Sequence, residues 1–140
     1  MSNSFNWDRG LDYRQTYRML AKDLQALREK KSERYYRRLT YTAVLLTQLR
    51  NGSRISEAID AIEKFAREGK REVYVRVRKQ KNPDSRLMII PNEITRQDRV
   101  IIRGVLPVTA GAVKLYCKRK YGFNTHSLRY AFITYLAKKG

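Results

Sequence analysis

The chain has 140 residues, with 31 Lys and Arg against 13 Asp and Glu, a formal net charge of +18, one cysteine and one histidine. One Cys and one His rule out an intrachain disulfide and a Cys/His zinc site, and no apolar run approaches the roughly 20 residues that span a bilayer. The length fits one domain able to bury a core without metals or disulfides. So large a positive excess asks for a polyanion: nucleic acid first, an anionic membrane surface or an acidic protein second.

Residues 1–12 are polar and aperiodic and read as a flexible N-terminus; Met1-Ser2-Asn3-Ser4 lacks the apolar stretch of a signal peptide. Tyr13, Tyr17, Leu20, Leu24 and Leu27 then recur at helical spacing, which predicts an amphipathic helix over 12–30. A second helix is expected over about 33–50, with Tyr35, Leu39, Leu46 and Leu49 facing inward and Val44 and Leu45 widening that side. Asn51-Gly52 ends it, because glycine accepts the left-handed backbone of helix ends. Ser53 is a natural N-cap for a third helix, 54–68, whose stripe is Ile55, Ala58, Ile59, Ile62, Phe65 and Ala66.

The period changes at Val73, Val75 and Val77, which alternate with Tyr74, Arg76 and Arg78 as in a half-buried strand. Asn82-Pro83-Asp84 signals a turn, and Leu87 to Ile90 makes the return strand of an antiparallel hairpin stopped by Pro91. Residues 92–108 fit helix or strand equally. Thr109 caps a helix over about 109–121, and Gly122 separates it from a last helix near Thr125 in which Leu128, Phe132, Tyr135 and Leu136 face inward. The expected class is α+β, mainly α-helical with a small antiparallel hairpin, as a single domain over 1–140. Tyr13, Tyr17, Tyr35 and Tyr74 read as packing residues with a polar tip, and Cys117 as a small buried hydrophobe.

Three basic sets could carry chemistry. Arg54, at a helix start, offers a planar fork to phosphate oxygens beside unpaired backbone N–H groups. Glu57, one turn on, can hold that guanidinium from behind; the plainer alternative is a solvated helix pair worth about 0.3 kcal/mol. His126 and Arg129 share a face of another first turn, where histidine can move a proton and arginine supplies a second fork; a surface or capping histidine is the plainer reading. Lys79 and Lys81 lie in the hairpin turn. A lysine near two arginines has its ammonium pKa lowered by like charge and can act as a general acid. Together with Arg76, Arg78 and Arg86, these lysines can equally contact DNA backbone.

Singly these signals are common, but their order is not. The stretch Leu49 to Pro91 combines Gly52-Ser53-Arg54-Ile55-Ser56-Glu57 entering a helix with a lysine-bearing hairpin and a strand ending in proline. Thr125 to Gly140 has His126-Ser127-Leu128-Arg129 leading a helix that ends at glycine. In this the chain resembles the catalytic domain of tyrosine recombinases, the phage-integrase family, over about residues 33–140. It departs from that pattern at Ser53, where leucine is common, and at Tyr130, where a second histidine often follows the arginine.

The resemblance implies duplex DNA as partner and phosphodiester transesterification through a 3′-phosphotyrosine. Arg54 and Arg129 would hold the phosphate, Lys81 (with Lys79 as the alternative) would protonate the 5′ oxygen, and His126 would assist. It implies no metal, nucleotide or small-molecule cofactor, and no membrane. A full-length member would act as a homo-oligomer on DNA, whereas this chain is expected to be a monomer. The family's nucleophilic tyrosine lies beyond the glycine matched by Gly140, so none of the chain's tyrosines is expected to serve and the chain is expected to bind DNA without cutting it. A cytoplasmic, nucleoid-associated protein encoded by a virus or plasmid follows, and scarce Met and Cys with abundant Ile, Tyr, Arg and Glu suggest a thermophile. Three other readings stay open: a non-catalytic DNA-binding regulator derived from a recombinase, a basic structural RNA-binding protein, and a type IB topoisomerase.

Overall fold

A computed structural model describes residues 10–77 and 84–139. Among them are six helices and one hairpin: α1 (Tyr13–Arg28), α2 (Glu33–Asn51), α3 (Ile55–Glu68), β1 (Glu72–Val77), β2 (Asp84–Ile89), α4 (Arg96–Val105), α5 (Ala110–Tyr121) and α6 (Thr125–Lys139). The fold is α+β and mainly helical, as expected.

Helix α2 is the centre of the fold, in contact with the other five helices and with β2. Leu39, Val44, Leu45, Leu46 and Leu49 are buried as expected and Tyr35 is half-buried, while neighbours on several sides bury Thr42 and Ala43 as well. A helix enclosed on several sides must satisfy its own polar groups. Thr40, Thr42 and Thr47 accordingly donate to the carbonyls four residues back, at 3.0, 2.8 and 2.8 Å. Helix α1 starts at Asp12, whose carboxylate accepts from Gln15 N at 2.9 Å, and buries Leu20 and Leu24.

Strands β1 and β2 pair antiparallel from Glu72↔Ile89 to Val77↔Asp84. Val73, Val75, Val77 and Met88 form the buried face. Tyr74 does not pack: it lies opposite Leu87 on the uncovered face and is 61% exposed. The strand also begins earlier than expected, at Asp84 inside the turn signal.

The ambiguous stretch forms α4. Thr95 and Asp98 cap it reciprocally: Asp98 N donates to Thr95 Oγ1 at 3.1 Å, and Thr95 N to Asp98 Oδ2 at 2.9 Å. Asp98 is fully buried, and Arg28 meets it with two charge-assisted hydrogen bonds of 2.7 Å. This pair ties the end of α1 to the start of α4 across 70 residues. Arg28→Ala should therefore cost about 2 kcal/mol in urea unfolding, less than a fully enclosed pair because water reaches the vacated side.

Helix α5 is capped by Thr109 and ends at Gly122, whose φ is +82°. In α6 Leu128 is buried and Phe132 and Tyr135 are half-buried, but Leu136 is not inward-facing: it is 49% exposed, on a face that no described element covers. No single helix among the described residues is long and apolar enough to cross a membrane.

Cys117 is buried, its thiol 3.4 Å from the Phe123 carbonyl, and burial pushes its pKa from 9.0 to about 12. Tyr121 and Tyr17 are held well above the phenol value of 10.0 by burial first, then by hydrogen bonds to Asp23 and Glu93. All three stay neutral when folded at pH values where the unfolded chain ionises them. The contribution of Cys117 is thus complete below pH 9.0 and is lost as pH rises towards about 12, while those of Tyr17 and Tyr121 begin to fall only above the phenol value of 10.0. The urea midpoint should fall steadily over that window, and Cys117 should resist a thiol reagent in the neutral range until the chain unfolds.

Candidate phosphate-binding site

The turn between α2 and α3 builds the site. Gly52 closes α2 with φ +62°, and the Gln48 side-chain amide donates to the Ser53 carbonyl at 3.2 Å. Ser53 is not the N-cap. It is fully buried, and the cap position falls one residue later, on Arg54, whose extended backbone (φ −75°, ψ 158°) turns the chain into α3. The Arg54 guanidinium thus leaves from the mouth of the helix rather than from its first turn.

Glu57 is 1% exposed and receives two arginines. Its Oε1 accepts from the backbone N of Arg54 at 3.2 Å and from Arg86 at 3.3 Å; Oε2 lies 3.5 Å from the Arg54 guanidinium. Arg86 also donates to the Asn51 carbonyl at 2.8 Å. Across β1 it pairs with Val75, on the inner face of the hairpin, which aims it at α3. The side chains of Arg54 and Arg86 are 36% and 34% exposed. A guanidinium carries five N–H donors, so both keep donors for a ligand while a buried carboxylate fixes one edge.

Asn51 locks the hairpin to this turn. Its amide donates to the Ile89 carbonyl at 2.9 Å and accepts from Ile89 N at 2.8 Å, as a backbone partner would. Sequence reasoning missed Asn51, and it placed Arg86 among DNA contacts rather than on Glu57. Nothing local marks either role, since both partners lie 29 to 38 residues away.

The second motif approaches from α6. A Cβ on Gly52 would overlap the Phe132 ring, so helix and turn are in direct contact there. Arg129 is three residues before Phe132 and on the same side of α6; Arg54 is two residues after Gly52. Arg129 is half-exposed and His126 exposed, with the His126 ring edge-on to Tyr130 at 5.7 Å. Among the described residues no carboxylate forms a salt bridge with either of them. Tyr135 is engaged elsewhere. It stacks on Tyr13 at 4.3 Å, and hydrogen bonds from Arg14 first and Lys139 second hold its phenol below the usual value.

Arg76 is exposed on the outer face of the hairpin, opposite Ser85. Arg78, Lys79 and Lys81 lie outside the described residues. No group of three His, Cys, Asp or Glu side chains that could hold a metal ion occurs among the described residues.

Comparison with known proteins identifies relatives of nearly the whole chain. The uncharacterized protein MJ0770 of Methanocaldococcus jannaschii is 37% identical over 167 aligned positions, covering 99% of this chain and 75% of that protein. The chain belongs to the MJ0770 family. It is also similar to a protein of Acidianus two-tailed virus named "Putative integrase ORF241", 34% identical over 138 positions that cover 96% of the chain and 54% of the viral protein. The chain thus spans three quarters of one relative and about half of the other. No protein-family model and no solved structure matches it.

Proposed function

We propose that this member of the MJ0770 family binds duplex DNA and supplies the phosphate-holding half of a tyrosine-type site-specific recombination site. The observation that carries this is the buried Glu57 carboxylate, which orients Arg54 and Arg86 and leaves donors of each open. Donors fixed before a charge develops stabilise it without reorganisation, which is what an anionic phosphoryl transition state needs. The integrase name of the viral relative adds support.

In this reading Arg54 and Arg129 grip the non-bridging oxygens of one phosphodiester. A tyrosine oxygen forms the new bond to phosphorus as the bond to the 5′ oxygen breaks. The proton for that oxygen comes from Lys81 or Lys79, and His126 assists proton movement. We assign the nucleophile to none of the chain's own tyrosines: Tyr130 and Tyr135 share a helix with Arg129, and Tyr135 is held against Tyr13. The chain alone should give no covalent adduct with a nicked suicide duplex.

Binding tests the pocket directly. Arg54→Ala and Arg129→Ala should each weaken duplex binding by about tenfold or more, the loss of charge-assisted hydrogen bonds to phosphate. Lys22→Ala and Lys70→Ala, on exposed surface, should change it less than about twofold. Each lost phosphate contact should also lower the log–log salt slope by about 0.9. Equal effects from all four substitutions would leave a basic scaffold with no special pocket.

A further inference from the structure

We propose a second nucleic-acid site: the cavity between α1, α2 and α5 takes an unpaired nucleotide from a single-stranded DNA segment. The cavity measures about 650 Å³, ample for a base with its sugar and phosphate. Arg38 on its wall and Asn51 at the phosphate site are thirteen positions apart on α2, about 20 Å along the helix. It is therefore a separate place, and its assignment does not rest on the recombination reading.

Charge is the first argument. Lys30, Arg38, Arg119 and Lys120 line the cavity from opposite sides, against one carboxylate, Asp23. That carboxylate is already engaged by the Tyr121 hydroxyl. Lys30, Arg34 and Arg38 further crowd a single ring, lying 5.7, 5.1 and 5.4 Å from the centre of Tyr35. Like charges gathered so closely repel one another, and an anion between the walls relieves that repulsion.

The lining surface is the second argument, and it chooses the anion. Tyr35, Tyr41 and Tyr116 face the cavity beside Leu27 and the half-exposed Leu115. Tyr41 and Tyr116 pack ring against ring at 5.3 Å and 48°, leaving tilted aromatic walls. An acidic peptide would use the cations and waste those rings. A nucleotide uses both, with its base on tyrosine and its phosphate on Arg38 and the lysines, the pattern by which proteins hold single strands. Bases stacked inside a duplex cannot enter such a cavity.

The test is anisotropy of a labelled twelve-residue oligo-dT, and separately of a duplex, with the full chain. Arg38 and Arg119 are exposed, so the double variant Arg38→Ala/Arg119→Ala should fold; Tyr35→Ala removes a stacking surface and leaves every charged group in place in the sequence, though Lys30, Arg34 and Arg38 lose the ring they lie against. Each should weaken oligo-dT binding by about tenfold or more and duplex binding by less than about threefold. Arg129→Ala should do the reverse, so a failure of this site is distinguishable from a failure of the phosphate site. Unchanged oligo-dT binding in both cavity variants overturns the proposal, as does an equal loss for oligo-dT and duplex. Competition by oligo-glutamate as effective as by unlabelled oligo-dT would replace the nucleotide with an acidic peptide. Binding of dTMP as tight as that of the oligonucleotide would replace the strand with a free nucleotide.

Discussion

Glu57→Ala is expected to weaken duplex binding by about tenfold at moderate salt, although it raises the net charge by one. Two effects oppose each other. Removing a carboxylate adds attraction for any polyanion, a screened surface term that fades as the Debye length shrinks to about 6 Å near 0.3 M salt. Removing the acid that holds both Arg54 and Arg86 frees two long side chains, so their ordering must be supplied on binding. Measured at about 0.3 M salt, orientation should win. Stability should drop by about 3 kcal/mol, because the backbone N of Arg54 loses its acceptor and two arginines lose a buried partner.

A positioning role is separable from a merely structural one. Arg54→Ala should cost less DNA affinity in the Glu57→Ala background than in the unaltered chain, since the oriented guanidinium is already lost. Glu57→Gln keeps an oxygen for the Arg54 backbone and should recover much of the stability but little of the affinity. If Glu57→Ala lowers stability while the folded protein binds duplex as before, Glu57 is a cap and nothing more.

What the amino-acid sequence disclosed here follows the range of the interactions. Helices and hairpin were legible because their signals are local: a 3.6-residue stripe in α1 and α3, strict alternation in β1, glycine at 52 and 122 with positive φ. Residues 92–108 were not, because Val100-Ile101-Ile102 suits strand as well as helix. The Thr95–Asp98 cap and the Arg28 fork 70 residues away decide it. Arg54 and Glu57 could be paired from their spacing, but the Arg86–Glu57 contact and the Asn51–Ile89 pairing exist only once the hairpin folds back on α2. The stripe assigned to α6 failed at Leu136 because α6 is apolar on more than one side, so the period does not say which side the core takes.

The contact that sets α6 against the site gives the last expectation. Gly52→Ala should cost about 3 kcal/mol. A side chain at φ +62° carries a backbone penalty of about 1–2 kcal/mol, and its Cβ would drive into the Phe132 ring, an overlap that forces repacking at about 1–3 kcal/mol. Phe132→Ala alone, at a half-buried site, should cost about 2 kcal/mol. Combined, the two should cost less than their sum, because the smaller residue at 132 removes the overlap and leaves only the backbone term. Duplex binding should track the overlap rather than the stability. Gly52→Ala pushes α6, and Arg129 with it, away from Arg54, so affinity falls, and the double variant should recover part of it despite being no more stable. Additive stabilities together with unchanged binding in the single variant would mean that α6 does not depend on this seat, and that Arg54 and Arg129 do not act on one phosphate.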